Sequence, residues 1–278
     1  MTDLNQKPIL LVDDEVLIGM ATKNNLSRFG YTVVTATRGD QAIEFVQQCP
    51  DCGLVLMDID LGREMNGIDA SREILKSQEM PIVFVSSHTE PEIVSLTEAV
   101  TSYGYIVKSS SPTVYDASIK MAYKLFTQKR QTEAFDRYLK TALENASEPI
   151  FISEGNGNVV YYNKAFLEIQ GLSHEDAVIT ELAEFPKTTT VFSDTGQRLS
   201  VDNWASTRPL RGESGENVVF YVYNHSIKTV LVNEYTYAPI FDDHRRIIGS
   251  YVKIGKPVAN PDLEVLASIE RAIGEQME

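Results

Sequence analysis

Apolar and polar positions along the chain follow two different rhythms. Between Pro8 and about Phe126, short apolar runs alternate with segments whose apolar residues recur every three or four positions. The runs are Ile9-Leu10-Leu11-Val12, Thr32 to Ala36, Leu54-Val55-Leu56-Met57, Ile82-Val83-Phe84-Val85 and Tyr105-Ile106-Val107. Four are apolar throughout, as expected of parallel strands covered on both faces, and the second is β-branched. The intervening segments read as helices: Val16 to Phe29, stopped by Gly30, then Asp40 to Val46 and Gly67 to Leu75. A fourth, Glu92 to Val100, begins just after Pro91. Such units predict a doubly wound, parallel five-stranded α/β sheet with right-handed crossovers.

Pro112 opens a fifth helix whose apolar spacing continues beyond this region. Val114, Ala117, Met121, Leu125, Gln128, Thr132, Phe135, Leu139, Ala142 and Ala146 are separated by threes and fours. Two readings stand: the seam of a helix packed on a partner helix, or a helix packed on its own domain and solvated further on. The first is favoured and predicts a homodimer. After Glu148-Pro149 the rhythm changes to strands and turns. Ile150 to Ile152 and Val159 to Tyr162 flank Glu154-Gly155-Asn156-Gly157 as a hairpin. Asn163 is placed to cap a short helix, Ala165 to Ile169, which ends at Gly171. A helix-poor stretch follows, then three alternating runs: Asn217 to Tyr223, Thr229 to Ala238 and Ile247 to Ile254. Pro261 to Glu278 is an amphipathic helix carrying Leu263, Leu266, Ile269, Ile273 and Met277 on one side.

Composition narrows the functional classes. With 278 residues the chain accommodates two domains, and 43% hydrophobic with 23% charged residues is ordinary for a globular protein. A net charge of −14 and the lack of a basic cluster argue against a nucleic-acid surface. No apolar stretch approaches the roughly 20 residues of a membrane span, and the polar N-terminus shows no secretory signal, so a cytoplasmic location is expected. The two cysteines form Cys49-Pro50-Asp51-Cys52, closing a helix rather than opening one. A turn holding two thiols is favoured over a redox pair or half a zinc site, and a metal or redox enzyme built on them ranks last.

Chemistry concentrates at the ends of the strands. In an open parallel sheet the carboxyl ends of the strands form the crevice where ligands sit. Here they carry Asp13, Asp14 and Glu15, then Asp58, Ser86 and Lys108. Asp13, Asp14 and Asp58 supply the hard oxygen ligands that Mg²⁺ prefers. Asp58 is the nucleophile best placed to form an acyl phosphate. Lys108 and the metal would neutralise charge on the phosphoryl oxygens, and Ser86 would hydrogen-bond the group once attached.

Leu11-Val12-Asp13-Asp14-Glu15, Leu56-Met57-Asp58, Val85-Ser86 and Tyr105-Ile106-Val107-Lys108 resemble, in order and spacing, the motifs of the response-regulator receiver domain of two-component signalling. The resemblance covers roughly residues 7 to 126 and implies a flavodoxin-like fold. It also implies Mg²⁺ on Asp13, Asp14 and Asp58, and a phosphoryl group passed to Asp58 from a histidine kinase or phosphotransfer protein. Ser86 and the aromatic Tyr105 would couple phosphorylation to the surface of the fourth helix and fifth strand. Two positions depart from the family. Lys108 is followed by Ser109 rather than proline, which predicts a trans bond, since a cis bond before a non-proline residue costs about 2.5–4 kcal/mol. Ser87 follows Ser86 where a smaller residue is usual.

Residues 147 to 255 resemble a PAS sensor domain through Ser147 to Ile152, Val160 to Phe166, Gly171 to Asp176, Arg208-Pro209-Leu210-Arg211-Gly212-Glu213 and the last three runs. That resemblance implies an α+β domain with a five-stranded antiparallel sheet. Its ligand is unknown; His174 and His225 read as solvated rather than haem-binding, and Trp204 as a packing residue. The expected organisation is a receiver over 1–126, a helical linker over 127–146, a PAS domain over 147–256 and a C-terminal helix over 257–278. The expected function is a response regulator that relays phosphorylation of Asp58 through the linker to the PAS domain, controlling dimerisation or partner binding. No catalytic output domain is expected beyond the receiver's own phosphorylation and dephosphorylation. The alternative is a sensory front end of a truncated or divergent histidine kinase, to which Asp60-Leu61-Gly62 and Val85 to Pro91 are similar.

Overall fold

The computed structural model describes residues 7–62, 65–87, 100, 103–172 and 181–274. The chain divides into two units, Met1–Phe135 and Asp136–Glu278. In the first, β1 (Ile9–Val12), β2 (Val33–Ala36), β3 (Leu54–Asp58), β4 (Ile82–Ser86) and β5 (Tyr105–Val107) form a parallel sheet in the order β2-β1-β3-β4-β5. Helices α1 (Val16–Arg28), α2 (Gly39–Gln48), α3 (Gly67–Ser77) and α4 (Pro112–Glu144) accompany it. The expected helix from Glu92 to Val100 falls almost wholly outside the described residues.

The apolar runs are continuous because alternate side chains enter two cores. Leu10, Val12, Val55, Met57 and Phe84 pack with Ala42, Val46, Ala70 and Ile74 of α2 and α3. Ile9, Leu11, Leu54, Leu56, Val83 and Val85 pack with Leu26 of α1 and Tyr115, Ile119 and Ala122 of α4. Each buried Leu, Ile or Val contributes about 1.5–3 kcal/mol. The central strands are therefore held rigidly, and their carboxyl ends with them. Cys49 caps α2 and Cys52 is buried, its Sγ near the Pro8 and Leu54 carbonyls. Burial pushes the Cys52 thiol up to about 11, so it is a packing residue and a poor nucleophile.

The second unit holds β6 (Ile150–Glu154), β7 (Val159–Tyr162), β8 (Thr189–Phe192), β9 (Gly215–Asn224), β10 (Thr229–Phe241) and β11 (Ile247–Pro257). They form one antiparallel sheet in the order β7-β6-β11-β10-β9-β8. Six strands replace the expected five. The additional strand is β8, inside the stretch read as helix-poor, pairing Thr189 to Phe192 with Asn224 to Tyr221. Four residues directly after a Pro-Lys helical turn show no alternation of their own. Their identity as a strand comes from β9, some thirty residues later.

Helices α5 (Lys164–Gln170) and α6 (Phe185–Thr188) cover one face of this sheet, where Phe151, Phe166, Trp204, Phe220, Tyr235 and Val252 are buried. Trp204 packs there as expected, with its Nε1 donating to the Leu199 carbonyl at 3.2 Å. The opposite face is covered by α7 (Leu263–Gly274), whose fully buried Ile269 meets Phe192 and Tyr221. The C-terminal helix is thus an integral layer of the second unit. His225 pairs with Thr190 Oγ1 at 2.9 Å, while His174 lies outside the described residues.

Asn163 is the junction between α4, β6 and α5. It is fully buried, and its Oδ1 accepts the Ile150 and Phe166 backbone N–H groups, each at 3.0 Å. Its Nδ2 donates toward the carbonyls of Leu143, Ala146 and Glu148 at 3.2, 3.3 and 2.9 Å. The capping role was visible in the sequence; the clamp on the end of α4 was not. Breaking such a network leaves several buried backbone groups unpaired at about 1–3 kcal/mol each. Asn163→Ala is therefore expected to lower stability by about 2–4 kcal/mol in denaturant melts. Amide exchange around Leu143 to Ile150 should accelerate before the rest of the second unit.

Candidate functional site

The parallel sheet ends its strands at one edge, and the polar residues that follow the apolar runs collect there. Asp13 and Asp14 follow β1, Asp58 ends β3, Ser86 ends β4 and Lys108 follows β5. Neighbouring registers bring the ends level: Val12 pairs with Met57, Asp58 with Val85, and Ser86 with Val107. Asp13 and Asp58 are only 4% and 1% exposed, whereas Asp14 is open to solvent. The Lys108 ammonium lies 2.8 Å from Asp58 Oδ2 and 3.2 Å from Asp13 Oδ1.

All peptide bonds among the described residues are trans, Lys108–Ser109 included. The lysine reaches the site because its backbone N–H donates to the Ser86 carbonyl at 2.8 Å, followed by a turn in which Ser110 N–H donates to the Val107 carbonyl. Ser86 is itself fully buried. Tyr105 is half-buried, opposite Phe84 in the β4–β5 ladder, and packs at the rim of the core shared with α2 and α3. The helix to which Tyr105 was expected to signal lies outside the described residues.

Two residues carry parts of the site that the motifs did not assign. Glu15 places its Oε1 3.2 Å from the Lys108 ammonium, and its backbone N–H donates to Asp13 Oδ1 at 3.0 Å. Gly67 starts α3 directly against Asp58: a Cβ there would sit 1.8 Å from the Asp58 carbonyl oxygen. Its N–H also donates to the Ile59 carbonyl at 2.9 Å. Only glycine allows the helix to approach the acceptor strand this closely. The Asn66-Gly67 step, with Asn66 capping α3 through the Asp69 N–H, was the available signal.

Electrostatics show what the arrangement lacks. Burial pushes the Asp58 carboxyl up to about 6, against the lowering effect of Lys108. Burial raises Asp13 as well, opposed by the Glu15 N–H and Lys108. Burial disfavours the Lys108 charge too, but the Asp58, Asp13 and Glu15 carboxylates outweigh it and hold the ammonium above the usual lysine range. One cation thus serves several carboxylates. Asp13, Asp14 and Asp58 each offer an oxygen within 4.8 Å of the others. A magnesium ion with oxygens at about 2.1 Å spans opposite ligands about 4.2 Å apart. The donor set is all hard oxygen and carries excess negative charge, so the residues present fit Mg²⁺.

Linkage gives this a measurable sign. A folded-state pKa above the unfolded value means that the folded protein holds its proton longer, so stability falls as pH rises from about 4 through 6. The Asp58 shift corresponds to a loss of up to roughly 3 kcal/mol, since one unit is about 1.4 kcal/mol. In metal-free protein, Asp58→Asn should flatten that decline and raise the melting temperature at pH 7. Mg²⁺ should stabilise the native chain at pH 7 and Asp58→Asn much less. Equal stabilisation of the two in thermal melts would place the cation elsewhere.

Comparison with known proteins agrees with this geometry. Residues 9–120 match the family model "Response regulator receiver domain", and residues 137–202 match the model of a PAS domain. The probable transcriptional regulator ycf27 of Cyanophora paradoxa is 29% identical over 123 residues, 42% of this chain and 48% of that protein. The transcriptional regulatory protein BaeR of Escherichia coli is 28% identical over 180 residues, 62% of this chain and 70% of its own length. This chain thus spans about half of the first relative and somewhat more of the second. Among solved structures, the N-terminal domain of a response regulator/sensory box/GGDEF three-domain protein from Carboxydothermus hydrogenoformans is 37% identical. That match covers 44% of this chain and 98% of the other, with a TM-score of 0.42. The strand-end carboxylates with their lysine, and the sheet order that gathers them, belong to a response regulator receiver domain, which in this chain is followed by a PAS domain.

Proposed function

We propose that this protein is a two-component response regulator whose Asp58 accepts a phosphoryl group from the phosphohistidine of a histidine kinase or phosphotransfer protein. One observation carries the reading: a buried carboxylate, 2.8 Å from an ammonium and flanked by two further carboxylates, at the open edge of a parallel sheet. Phosphorus passes from the histidine nitrogen, which keeps the bonding electron pair, to an Asp58 oxygen. Asp13, Asp14 and Asp58 would hold Mg²⁺, which when bound supplies positive charge to the phosphoryl oxygens.

The chain's own residues do the rest. The rigid end of β3 and the Gly67 contact fix the Asp58 backbone, so the nucleophile meets phosphorus without reorganisation. Burial raises the nucleophile's basicity and excludes water that would compete for the phosphoryl group. Lys108 neutralises charge that develops on the equatorial oxygens, and Ser86 donates its hydroxyl to the bound group. Because Lys108 now pairs with Asp58, phosphorylation must re-aim it toward the phosphoryl oxygens. Ser86 shares a backbone hydrogen bond with Lys108, so the same event pulls on β4 and β5.

The relay we propose runs through α4 to the Asn163 junction and so to the PAS domain, whose output is a change in assembly or partner binding. A cytoplasmic location accords with this reading, and no described helix is long and apolar enough to cross a membrane. The direct test is radiolabelled acetyl phosphate or a phosphorylated kinase fragment with Mg²⁺. The native chain should take up label in an acid-stable, base-labile form expected of an acyl phosphate. Asp58→Ala should take up none, and Lys108→Ala should retain labelling at a rate at least tenfold lower, an effect of about 1.4 kcal/mol or more. Label that survives Asp58→Ala would sink the assignment.

A further inference from the structure

The Lys108 ammonium carries three N–H donors, and three carboxylates share them. Asp58 Oδ2 lies at 2.8 Å, and Asp13 Oδ1 and Glu15 Oε1 lie at 3.2 Å each. The proposed chemistry claims two of the three. Asp58 becomes the acyl phosphate, and Asp13 belongs with Asp14 and Asp58 to the set that fits a divalent cation. Glu15 stands outside that set, and its side chain is 57% exposed where that of Lys108 is 10% exposed. Among the described residues it is the carboxylate on the ammonium that phosphoryl transfer leaves chemically unchanged.

The backbone fixes Glu15 for such a part. Its N–H donates to Asp13 Oδ1 at 3.0 Å, and its carbonyl accepts the Gly19 N–H at 2.9 Å, so its Cα is held between the acidic turn and α1. It occupies the N-cap position of α1 yet makes no side-chain cap. A side-chain oxygen at that position ordinarily turns back onto the helix N–H groups; here it reaches the lysine that follows β5 instead. Lys108, by contrast, carries its charge on a flexible four-carbon stem. We infer that Glu15 is a positioning residue for phosphoryl transfer: it keeps the Lys108 ammonium at the site while Asp58 and Asp13 turn to the phosphoryl group and the cation. A half-exposed pair contributes little to folding, so the role shows in the rate of transfer rather than in stability. It rests on the reading of Asp58 as the phosphoryl acceptor.

The test is a double-mutant cycle on the full chain with radiolabelled acetyl phosphate and Mg²⁺. Glu15→Ala should slow labelling by roughly three- to fivefold, the range a half-exposed charge pair supplies. Glu15→Gln, which keeps the length and an accepting oxygen, should fall between Glu15→Ala and the native chain. In a Lys108→Ala background Glu15→Ala should cost nothing further, because the group it positions is gone. Glu44→Ala, the same change of charge on the exposed side of α2, should leave the rate near native. A second readout needs no turnover: the Lys108 side-chain ammonium signal in NMR spectra of the chain with Mg²⁺ and beryllofluoride. It should be sharp in the native chain, weaker in Glu15→Gln and lost to solvent exchange in Glu15→Ala. Labelling at the native rate in Glu15→Ala, an ammonium signal unchanged by that substitution, or an equal loss of rate with Lys108 absent overturns the inference. A native chain that takes up no label overturns the Asp58 reading itself, and the role of Glu15 with it.

Discussion

The ion pair between Lys108 and Asp58, 2.8 Å across and almost shut off from water, is the constraint on which the first unit turns. A carboxylate buried this deeply is costly unless a cation shares the burial. The cation arrives from the far side of β4, on the strand at the sheet edge, so the pair can form only if the parallel order is complete. Each apolar run that builds the two cores therefore also sets the distance between a buried carboxylate and its counter-charge. The pair leaves the site overcharged, since Asp13, Asp14 and Glu15 crowd the same edge. That surplus makes the edge receptive to a divalent cation and, with the cation in place, to a phosphoryl group.

The same constraint gives the site its leverage. Lys108 cannot serve the Asp58 carboxylate and a phosphoryl group on it in the same position. Its backbone is tied to Ser86, and the chain beyond it enters α4 within a few residues. At its other end α4 meets Asn163, which gathers its last carbonyls together with the start of β6 and the first turn of α5. A helix held at both ends by hydrogen-bonded junctions is suited to carry the displacement proposed above.

Much of the parallel unit was legible because buried parallel strands are continuous apolar runs, and a charged residue directly after one is conspicuous. That signal singles out Asp13, Asp14, Asp58, Ser86 and Lys108, and sheet order brings their strand ends together. The contacts of Glu15 with Lys108, of Gly67 with Asp58 and of the donor side of Asn163 were not legible, because they join segments separated in sequence. A glycine that must lie against a carbonyl looks like any glycine at a helix start. Strand β8 was missed for a related reason: four residues without alternation become a strand only beside β9. The trans Lys108–Ser109 bond was foreseeable from the residue that replaces proline. That Lys108 would still reach Asp58 depended on the Ser86 carbonyl, which no local pattern reveals.

The central claim is that charge placed on Asp58 alters the second unit through α4. Hydrogen exchange of the full chain, with and without beryllofluoride and Mg²⁺, tests it most directly. The account predicts changed protection at the ends of β4 and β5, along α4 and at the amides around Asn163, with no such change in Asp58→Ala. Changes confined to the sheet edge, with residues 136–274 exchanging identically in both states, would contradict it.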